Sequence, residues 1–332
     1  MLRILHDTHI DFIRLRRITT IAILVFILPG IAWIAVDGFR YSIEFTGGTL
    51  VQLKFRTPPD IGEVRDVLGG AALSDAEIQT FGSPNELVVR AQAAEAVQAQ
   101  ADGAESVATT ITDALEARYG EDGFTVERTE AVGPRVGAEL RRNALIAIFI
   151  SFGATLLYLA WRFAGRLAVS SVLANIHDII ATLAFMKYMN IEISLFVVGG
   201  ILTVIGYSLA DKVVVFDRVR ELLRTRQRVP LYDTLNRAVN ETLPRTVMTG
   251  TTVIACLLAL IIFGGEVLRP FALILLFGIV VGTFSSIFVA APILLWIEQK
   301  WPKAAAERGA SSRPAAPRER KAPAVSERAA AR

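Results

Sequence analysis

The sequence predicts an α-helical polytopic membrane protein with six transmembrane helices and a small α+β, ferredoxin-like (βαββαβ) domain outside the membrane. Hydrophobic residues make up 53% of the 332 residues, charged residues only 20%, and the mean hydropathy is +0.46. Soluble proteins carry less apolar and more charged sequence. The excess lies in six runs, each long enough to cross a hydrocarbon core of about 30 Å as a helix. A soluble globular enzyme is therefore excluded.

The six apolar runs define the predicted spans: residues 18–36, 143–161, 167–186, 193–216, 246–265 and 270–297. The first run follows Arg14, Arg16 and Arg17, as the apolar part of a signal peptide would. It is longer than a usual signal-peptide core, and no A-x-A cleavage site follows it. We therefore interpret it as a retained signal anchor.

Lys and Arg near the short loops predict the orientation, because cytoplasmic loops are enriched in these residues. Arginines cluster in residues 1–17, in the turn after the second span and in residues 217–245. Both termini are therefore expected in the cytoplasm. The four-residue spacing of Leu231, Leu235, Val239 and Leu243 predicts an amphipathic helix on the cytoplasmic membrane surface. Residues 298–332 are expected to be a disordered, solvated tail, with contact to anionic lipid or ribosomal RNA as the less favoured interpretation.

Residues 37–141 form the predicted extracytoplasmic domain. Residues 37–140 contain 18 acidic and 8 basic residues, whereas the chain as a whole has a net charge of +3. Alternating apolar residues, turn residues and helical spacing predict the order β-α-β-β-α-β. The predicted strands are 49–56, 77–81, 86–90 and 124–132, with a hairpin turn at 82–85 and helices at 58–68 and 108–119. Residues 91–107 either extend the second helix or form a mobile insert.

Asp211 is the first ionisable residue that we single out within a span. A charged side chain there costs about 2.5–3.5 kcal/mol on insertion scales, so it is by default a functional hypothesis. A carboxylate balanced between desolvation and a nearby cation can take up and release a proton. The alternative is an acid at a helix end that is neutralised by the neighbouring Lys212, whose long side chain snorkels to the interface.

Two further clusters qualify. Arg245, Thr249 and Thr252 share one helical face, so Arg245 is either a fixed counter-charge or a positive-inside anchor. His177 and Asp178, with Asn175 nearby, lie in the middle of the third span. They form either a proton relay or a hydrogen-bonded packing cluster between helices.

The sequence lacks the motifs of several enzyme classes. It has no Walker A loop, no HExxH and no GxSxG, so neither ATP hydrolysis nor the usual hydrolase chemistry is expected. Its single cysteine, Cys256, excludes a disulfide scaffold and a cysteine-based metal cluster. We expect no cofactor, and a proton or sodium gradient as the energy source.

Five segments carry a resemblance to a known family. They are Glu44-Phe45-Thr46-Gly47-Gly48-Thr49, His177-Asp178, Gly206–Glu221 (GYSLADKVVVFDRVRE), Leu243–Thr252 and Gly282–Ser286. Together they resemble the SecF family of the bacterial Sec protein-export machinery. The resemblance extends to about residue 298, and the long GYS…FDRVRE segment is its most specific part.

The resemblance implies a six-span half of an RND-type transporter in the inner membrane, with SecD as the other half. The implied partners are the SecYEG channel, YajC, YidC, unfolded preprotein on the periplasmic side and membrane lipid, with no specific nucleic acid. It implies that Asp211 is the proton-responsive carboxylate and Arg245 its intramembrane partner. The remaining implied site residues are His177 and Asp178 in proton coupling, Ser208, Lys212, Thr249 and Thr252 in support, and Glu44, Phe45, Gly47 and Gly48 as a periplasmic hinge motif.

The chain departs from the family pattern at four positions. Glu44 replaces the usual Asp, Ala210 an Asn and Lys212 a Thr, and Pro244 replaces a Ser in a way that fits a helix start at Arg245. Two alternatives stay open at this point. One is a proton-coupled RND-type exporter of small molecules or lipids, and the other is a scaffold subunit whose buried charges only pair helices.

Overall fold

The computed structural model describes residues 8–91, 103–163, 165–225 and 229–301. The predictions for the tail beyond residue 301 and for most of the segment 91–107 concern residues outside these ranges. In chain order the described elements are a 3₁₀ turn (Ile13–Leu15), α1 (Arg16–Asp37), α2 (Ile43–Thr46), β1 (Gly48–Phe55), α3 (Ile61–Gly70), β2 (Glu77–Phe81), β3 (Ser83–Ala91), α4 (Gly103–Tyr119), β4 (Phe124–Val132), α5 (Pro134–Arg162), α6 (Arg166–Tyr188), α7 (Leu195–Thr225), α8 (Leu231–Phe263), α9 (Gly265–Ser285), a π turn (Ser286–Ala290) and α10 (Ala291–Lys300).

Six helical segments are long and apolar enough to cross a membrane, as the sequence predicts. They are α1, α5, α6, α7, α8 and the unit formed by α9, the π turn and α10. The unit of α9 to α10 is the most enclosed, with 56% of its apolar window buried, against 11% for α1 and α5. Polar groups inside a membrane need protein partners. The enclosed helices α6, α7 and α9 can supply such partners, and the polar clusters lie there.

The outer domain is a four-stranded antiparallel sheet in the order β2-β3-β1-β4, with α3 and α4 packed on it. Val51 and Leu53 of β1, Leu68 of α3 and Leu115 of α4 are completely buried in one core. This is the predicted ferredoxin-like arrangement. The hairpin turn is shorter than predicted, because β3 already begins at Ser83 and only Gly82, with φ of 71°, separates it from β2.

Close glycine contacts bring the last span against α7. A Cβ on Gly278 would lie 2.3 Å from Cγ2 of Val204, and one on Gly282 would lie 3.0 Å from Cβ of Ser208. The two backbones can approach this closely only because both positions are glycine. This approach places the hydroxyl groups that follow, Ser285 and Ser286, beside the polar part of α7.

The helix start predicted at Arg245 is wrong, because the predicted amphipathic helix is the first part of a longer helix. A single helix, α8, runs from Leu231 through Pro244 to Phe263. Leu235 and Val239, which were expected on the membrane surface, are buried in the main core of the bundle. Pro244 removes a backbone hydrogen bond of the helix and crowds the preceding turn. The packing of Leu235 and Val239 in the core compensates this loss, so the helix continues past the proline.

Candidate functional site

Two carboxylates lie inside the helical bundle, Asp178 on α6 and Asp211 on α7. Asp178 has a relative exposure of 1%, whereas Asp211 is half-buried. Their surroundings differ in one decisive respect. Among the described residues, Asp178 contacts a cation, while the hydrogen-bond partners of Asp211 are hydroxyl groups.

Asp178 is saturated with donors from three helices. Its Oδ2 accepts hydrogen bonds from Lys212 Nζ at 2.5 Å, from Ser285 Oγ at 2.7 Å and from Ser208 Oγ. Its Oδ1 lies 2.8 Å from Nδ1 of His177. We call this group, Asp178, Lys212, Ser208 and Ser285, the lysine cluster. All four side chains are buried, and Lys212 has a relative exposure of 0%.

One alternative from the sequence was that Lys212 neutralises Asp211 and snorkels to the interface. The structure shows neither, because Lys212 is buried and contacts Asp178. Successive residues on a helix point about 100° apart, so Asp211 and Lys212 face different neighbours. Lys212 turns inward to Asp178 and to Ser208 one turn earlier on α7. The pairing compensates the desolvation of an ammonium group that is buried within the bundle.

Asp211 is held by two hydroxyl groups on two different helical segments. Oδ1 accepts from Thr246 Oγ1 of α8 at 2.7 Å, and Oδ2 accepts from Ser286 Oγ at 2.7 Å. Ser286 begins the π turn, a rare backbone form that is frequent at functional sites. Neither hydroxyl was named among the candidate site residues. Thr246 follows Arg245 directly, and Ser286 ends the Gly282–Ser286 segment that carries the family resemblance.

Arg245 is not the partner of Asp211 here. Its side chain is exposed, and among the described residues no ion pair joins it to an acid. Thr246 points to Asp211, and the next residue back on the helix therefore points elsewhere. Thr249 and Thr252 are exposed as well, so the polar face predicted on this helix exists but faces outward from the bundle.

His177 links the lysine cluster to the bundle surface. Its Nδ1 contacts Asp178, while its buried Nε2 has no partner among the described residues. His177 also lines a groove of about 700 Å³ between α1 and α10. Arg16 and Arg17 line the same groove. The side-chain amide of Asn175 is fully buried and unpartnered as well, so a packing cluster alone does not satisfy these polar atoms.

The segment 42–48, which we call the Glu44 segment, contacts the start of α7. Glu44 Oε2 accepts from the backbone N–H of Leu195 at 2.6 Å, which caps the helix that carries Asp211. The backbone N–H of Ser42 also donates to the carbonyl of Ile193 at 3.0 Å. Gly47 has φ of 76°, and a Cβ there would lie 2.8 Å from Cα of Pro134 at the start of α5. Phe45 is buried, and Gly48 begins β1.

The sheet also contacts the residues that precede α7. Arg90 of β3 forms an ion pair of 2.5 Å with Glu192, and both side chains are mostly buried. Glu192 lies three residues before α7 begins. The outer domain is therefore joined to the Asp211 helix by side-chain and backbone bonds.

Two family models match this chain. The SecD/SecF GG motif matches residues 32–59, and the C-terminal model of the protein export membrane proteins SecD/SecF matches residues 111–300. The protein translocase subunit SecF of Gemmatimonas aurantiaca is 50% identical over 305 residues, which is 91% of each chain. The SecF subunit of Magnetococcus marinus is 39% identical over 89% of this chain and 94% of its own.

The chain belongs to the SecF family of protein translocase subunits. It is therefore a transport component, an auxiliary subunit of the Sec translocase in a bacterial membrane. A crystal structure of SecDF from Thermus thermophilus superposes with a TM-score of 0.78 at 33% identity, covering 90% of this chain and 40% of that one. SecDF in its super-membrane-facing form gives a TM-score of 0.64 at 32% identity, covering 92% and 41%. This SecF chain thus spans about 40% of the length of those SecDF chains.

Proposed function

We propose that this SecF chain, together with a SecD half, uses the proton motive force to complete preprotein translocation across the inner membrane. The observation that carries the proposal is the environment of Asp211. It is the carboxylate inside the bundle that no cation among the described residues neutralises, and its two partners are hydroxyl groups on separate helical segments. A proton can therefore add to it without displacing a built-in cation.

Protonation of Asp211 changes what its oxygens can do. An ionised carboxylate accepts from both hydroxyl groups, whereas a protonated acid donates from one of its oxygens. The contact with either Thr246 or Ser286 must then turn or break. Because Thr246 lies on α8 and Ser286 on the π turn, we propose that this change alters the packing of α7 against α8 or against the last span.

The energy available is sufficient for such a change. One charge that crosses 100 mV supplies about 2.3 kcal/mol. This biases a two-state equilibrium by roughly fiftyfold. A bias of that size can rectify the diffusion of an emerging unfolded chain.

Motion of α7 reaches the outer domain through the Glu44 segment. Leu195, the first residue of α7, is bonded to Glu44, and Glu192 just before it is paired with Arg90 of the sheet. A shift or rotation of α7 therefore pulls directly on the domain. We propose that the domain lies in the periplasm, that it acts on unfolded preprotein, and that both termini are cytoplasmic.

The exposed face of Arg245, Thr249 and Thr252 is the proposed contact with SecD. A permanent cation within a span needs a protein partner, and none is present among the described residues. SecYEG, YajC and YidC complete the proposed assembly. The alternative of a small-molecule or lipid exporter is not favoured, because the curated relatives from Gemmatimonas aurantiaca and Magnetococcus marinus are protein translocase subunits.

Asp211→Asn tests the proposal in inner-membrane vesicles that contain SecYEG and SecD. The substitution keeps the size and the hydrogen-bonding oxygen but removes the titratable charge. We expect gradient-dependent completion of preprotein translocation to disappear.

Asp217→Asn is the matched control, because Asp217 lies on the same helix in a partly exposed ion pair with Arg162. We expect this variant to keep the gradient-dependent step. Retention of that step in Asp211→Asn would leave only the scaffold role, in which buried charges pair helices.

A further inference from the structure

We propose that Lys212 is a tethered cation that fills a small monovalent-cation site at Asp178 and keeps Na⁺ out of that site. The inference goes beyond the proposed function, because it concerns ion binding at Asp178 and not the protonation of Asp211. It can therefore be measured without a gradient.

The lysine cluster has the donor set of a cation site. The ammonium of Lys212 lies 2.5 Å from Asp178 Oδ2, within hydrogen-bond distance of Ser208 Oγ and 3.4 Å from the carbonyl oxygen of Ser208. Ser285 Oγ contacts the same carboxylate oxygen at 2.7 Å. Carboxylate, hydroxyl and carbonyl oxygens are the ligands that hard cations prefer. In transporters, such oxygens from several helices surround the coupling ion.

The charge balance of the cluster excludes a second cation. One carboxylate faces one ammonium, and both side chains are essentially inaccessible, with 1% and 0% exposure. The other groups that face Asp178 are His177 on α6, Ser208 on α7 and Ser285 on α9. The carboxylate of Asp211 is turned away, toward Thr246 and Ser286. Adding Na⁺ would leave an uncompensated positive charge in the membrane interior.

Removal of Lys212 should convert the cluster into a binding site. A buried carboxylate left without its partner is strongly unfavourable, so it must take up a proton or a small cation. Lys212→Ala creates space for Na⁺ among the remaining oxygens. Lys212→Met fills the same space with an uncharged chain, so the carboxylate can only be protonated. The two variants therefore share the loss of charge and differ only in room for the ion.

The experiment measures ²²Na⁺ binding to the full-length chain, purified with its SecD partner in lipid nanodiscs and equilibrated in choline chloride. We expect no saturable binding in the unaltered chain, one saturable site in Lys212→Ala, and none in Lys212→Met. The double variant Lys212→Ala, Asp178→Asn should lose the site again. A matching rise in melting temperature with NaCl, confined to Lys212→Ala, gives a second readout.

Two results would overturn the inference. One is saturable Na⁺ binding to the unaltered chain that Asp178→Asn abolishes. The other is a Lys212→Ala protein that elutes as the intact complex and binds no Na⁺. If that variant does not assemble, Lys212→Thr, which returns a hydroxyl oxygen to the cluster, takes its place with the same expectation.

Failure of the proposed function gives a different pattern. In that case gradient-dependent translocation survives Asp211→Asn, and the Na⁺ binding results are unaffected because no gradient enters that measurement.

Discussion

Asp178 and Asp211 lie in one helical bundle and have opposite environments. Asp178 is enclosed, contacts Lys212, and receives hydrogen bonds from two serines. Asp211 is half-buried and contacts two hydroxyl groups. The comparison teaches that burial alone does not make an acid responsive. The carboxylate of Asp178 has a built-in counter-ion, whereas the partners of Asp211 are uncharged hydroxyl groups, and the proposed mechanism depends on this difference.

The two environments are built by adjacent residues. Asp211 and Lys212 follow each other on α7, and the helical rotation sends one toward α8 and the π turn and the other toward α6. Any rotation of α7 about its axis would therefore move both sites at once. The predictions below break or sharpen this contrast, beginning with the largest expected effect.

The largest effect should come from breaking the ion pair of the lysine cluster. Asp178→Asn leaves the ammonium buried without a counter-charge, which costs about 3–5 kcal/mol of stability. The double variant Asp178→Asn, Lys212→Met should recover a large part of that loss, because no charge remains buried. Thermal unfolding in nanodiscs measures both.

Arg162→Gln is the control for the Asp178 and Lys212 variants. Its ion pair with Asp217 is about one-third exposed, so its loss should cost less than about 1 kcal/mol. Strictly additive losses in the double variant of the lysine cluster would contradict the account.

The next largest effect should come from the close contact between α7 and the last span. Gly282→Ala places a Cβ 3.0 Å from Cβ of Ser208 and forces the helices apart, at about 1–3 kcal/mol. It also moves Ser208 away from Asp178. We expect a lower melting temperature and weaker gradient-dependent translocation.

Gly206→Ala is the matched control on α7, because a Cβ there has open space around it. Equal melting temperatures for the two alanine variants would show that the close approach does not stabilise the bundle.

The smallest effect should come from single hydroxyl groups at Asp211. Thr246→Val removes one hydrogen bond to the carboxylate, and hydrogen bonds to charged groups contribute about 1.5–3 kcal/mol. In the proposed mechanism this bond couples the charge of Asp211 to the position of α8, so we expect gradient-dependent translocation to fall by roughly tenfold or more. Vesicle assays with a fluorescent preprotein measure the effect.

Thr242→Val serves as the control, since Thr242 lies on the same helix and donates to the backbone carbonyls of Ala238 and Val239. If both valine variants lose the same amount of activity, the bond to Asp211 has no special part in coupling.

The spans and the order of strands and helices along the chain could be predicted from sequence because they depend on local patterns. Apolar runs fix the six spans, and the alternation in β1 marks its buried face. The extended α8 was missed, since a proline directly before a basic residue is typical of a helix start and only tertiary packing carries the helix past Pro244.

The candidate site was predictable as a set of residues and not as a set of contacts. His177, Asp178 and Asp211 were identified from the cost of ionisable groups in a span, and Ser208 from the family resemblance. Their pairing depends on how far each helix is rotated toward its neighbours, which no spacing rule contains. Lys212 was therefore assigned to the adjacent Asp211 when it belongs to Asp178.

The central claim is that Asp211 changes its protonation state while Asp178 does not. Infrared difference spectroscopy on the full complex, before and after a pH jump, measures this directly through the C=O stretch of a protonated carboxyl group. We expect a carboxyl band that Asp211→Asn removes and that persists in the double variant Asp178→Asn, Lys212→Met. A band that survives Asp211→Asn and disappears in the double variant would contradict the account.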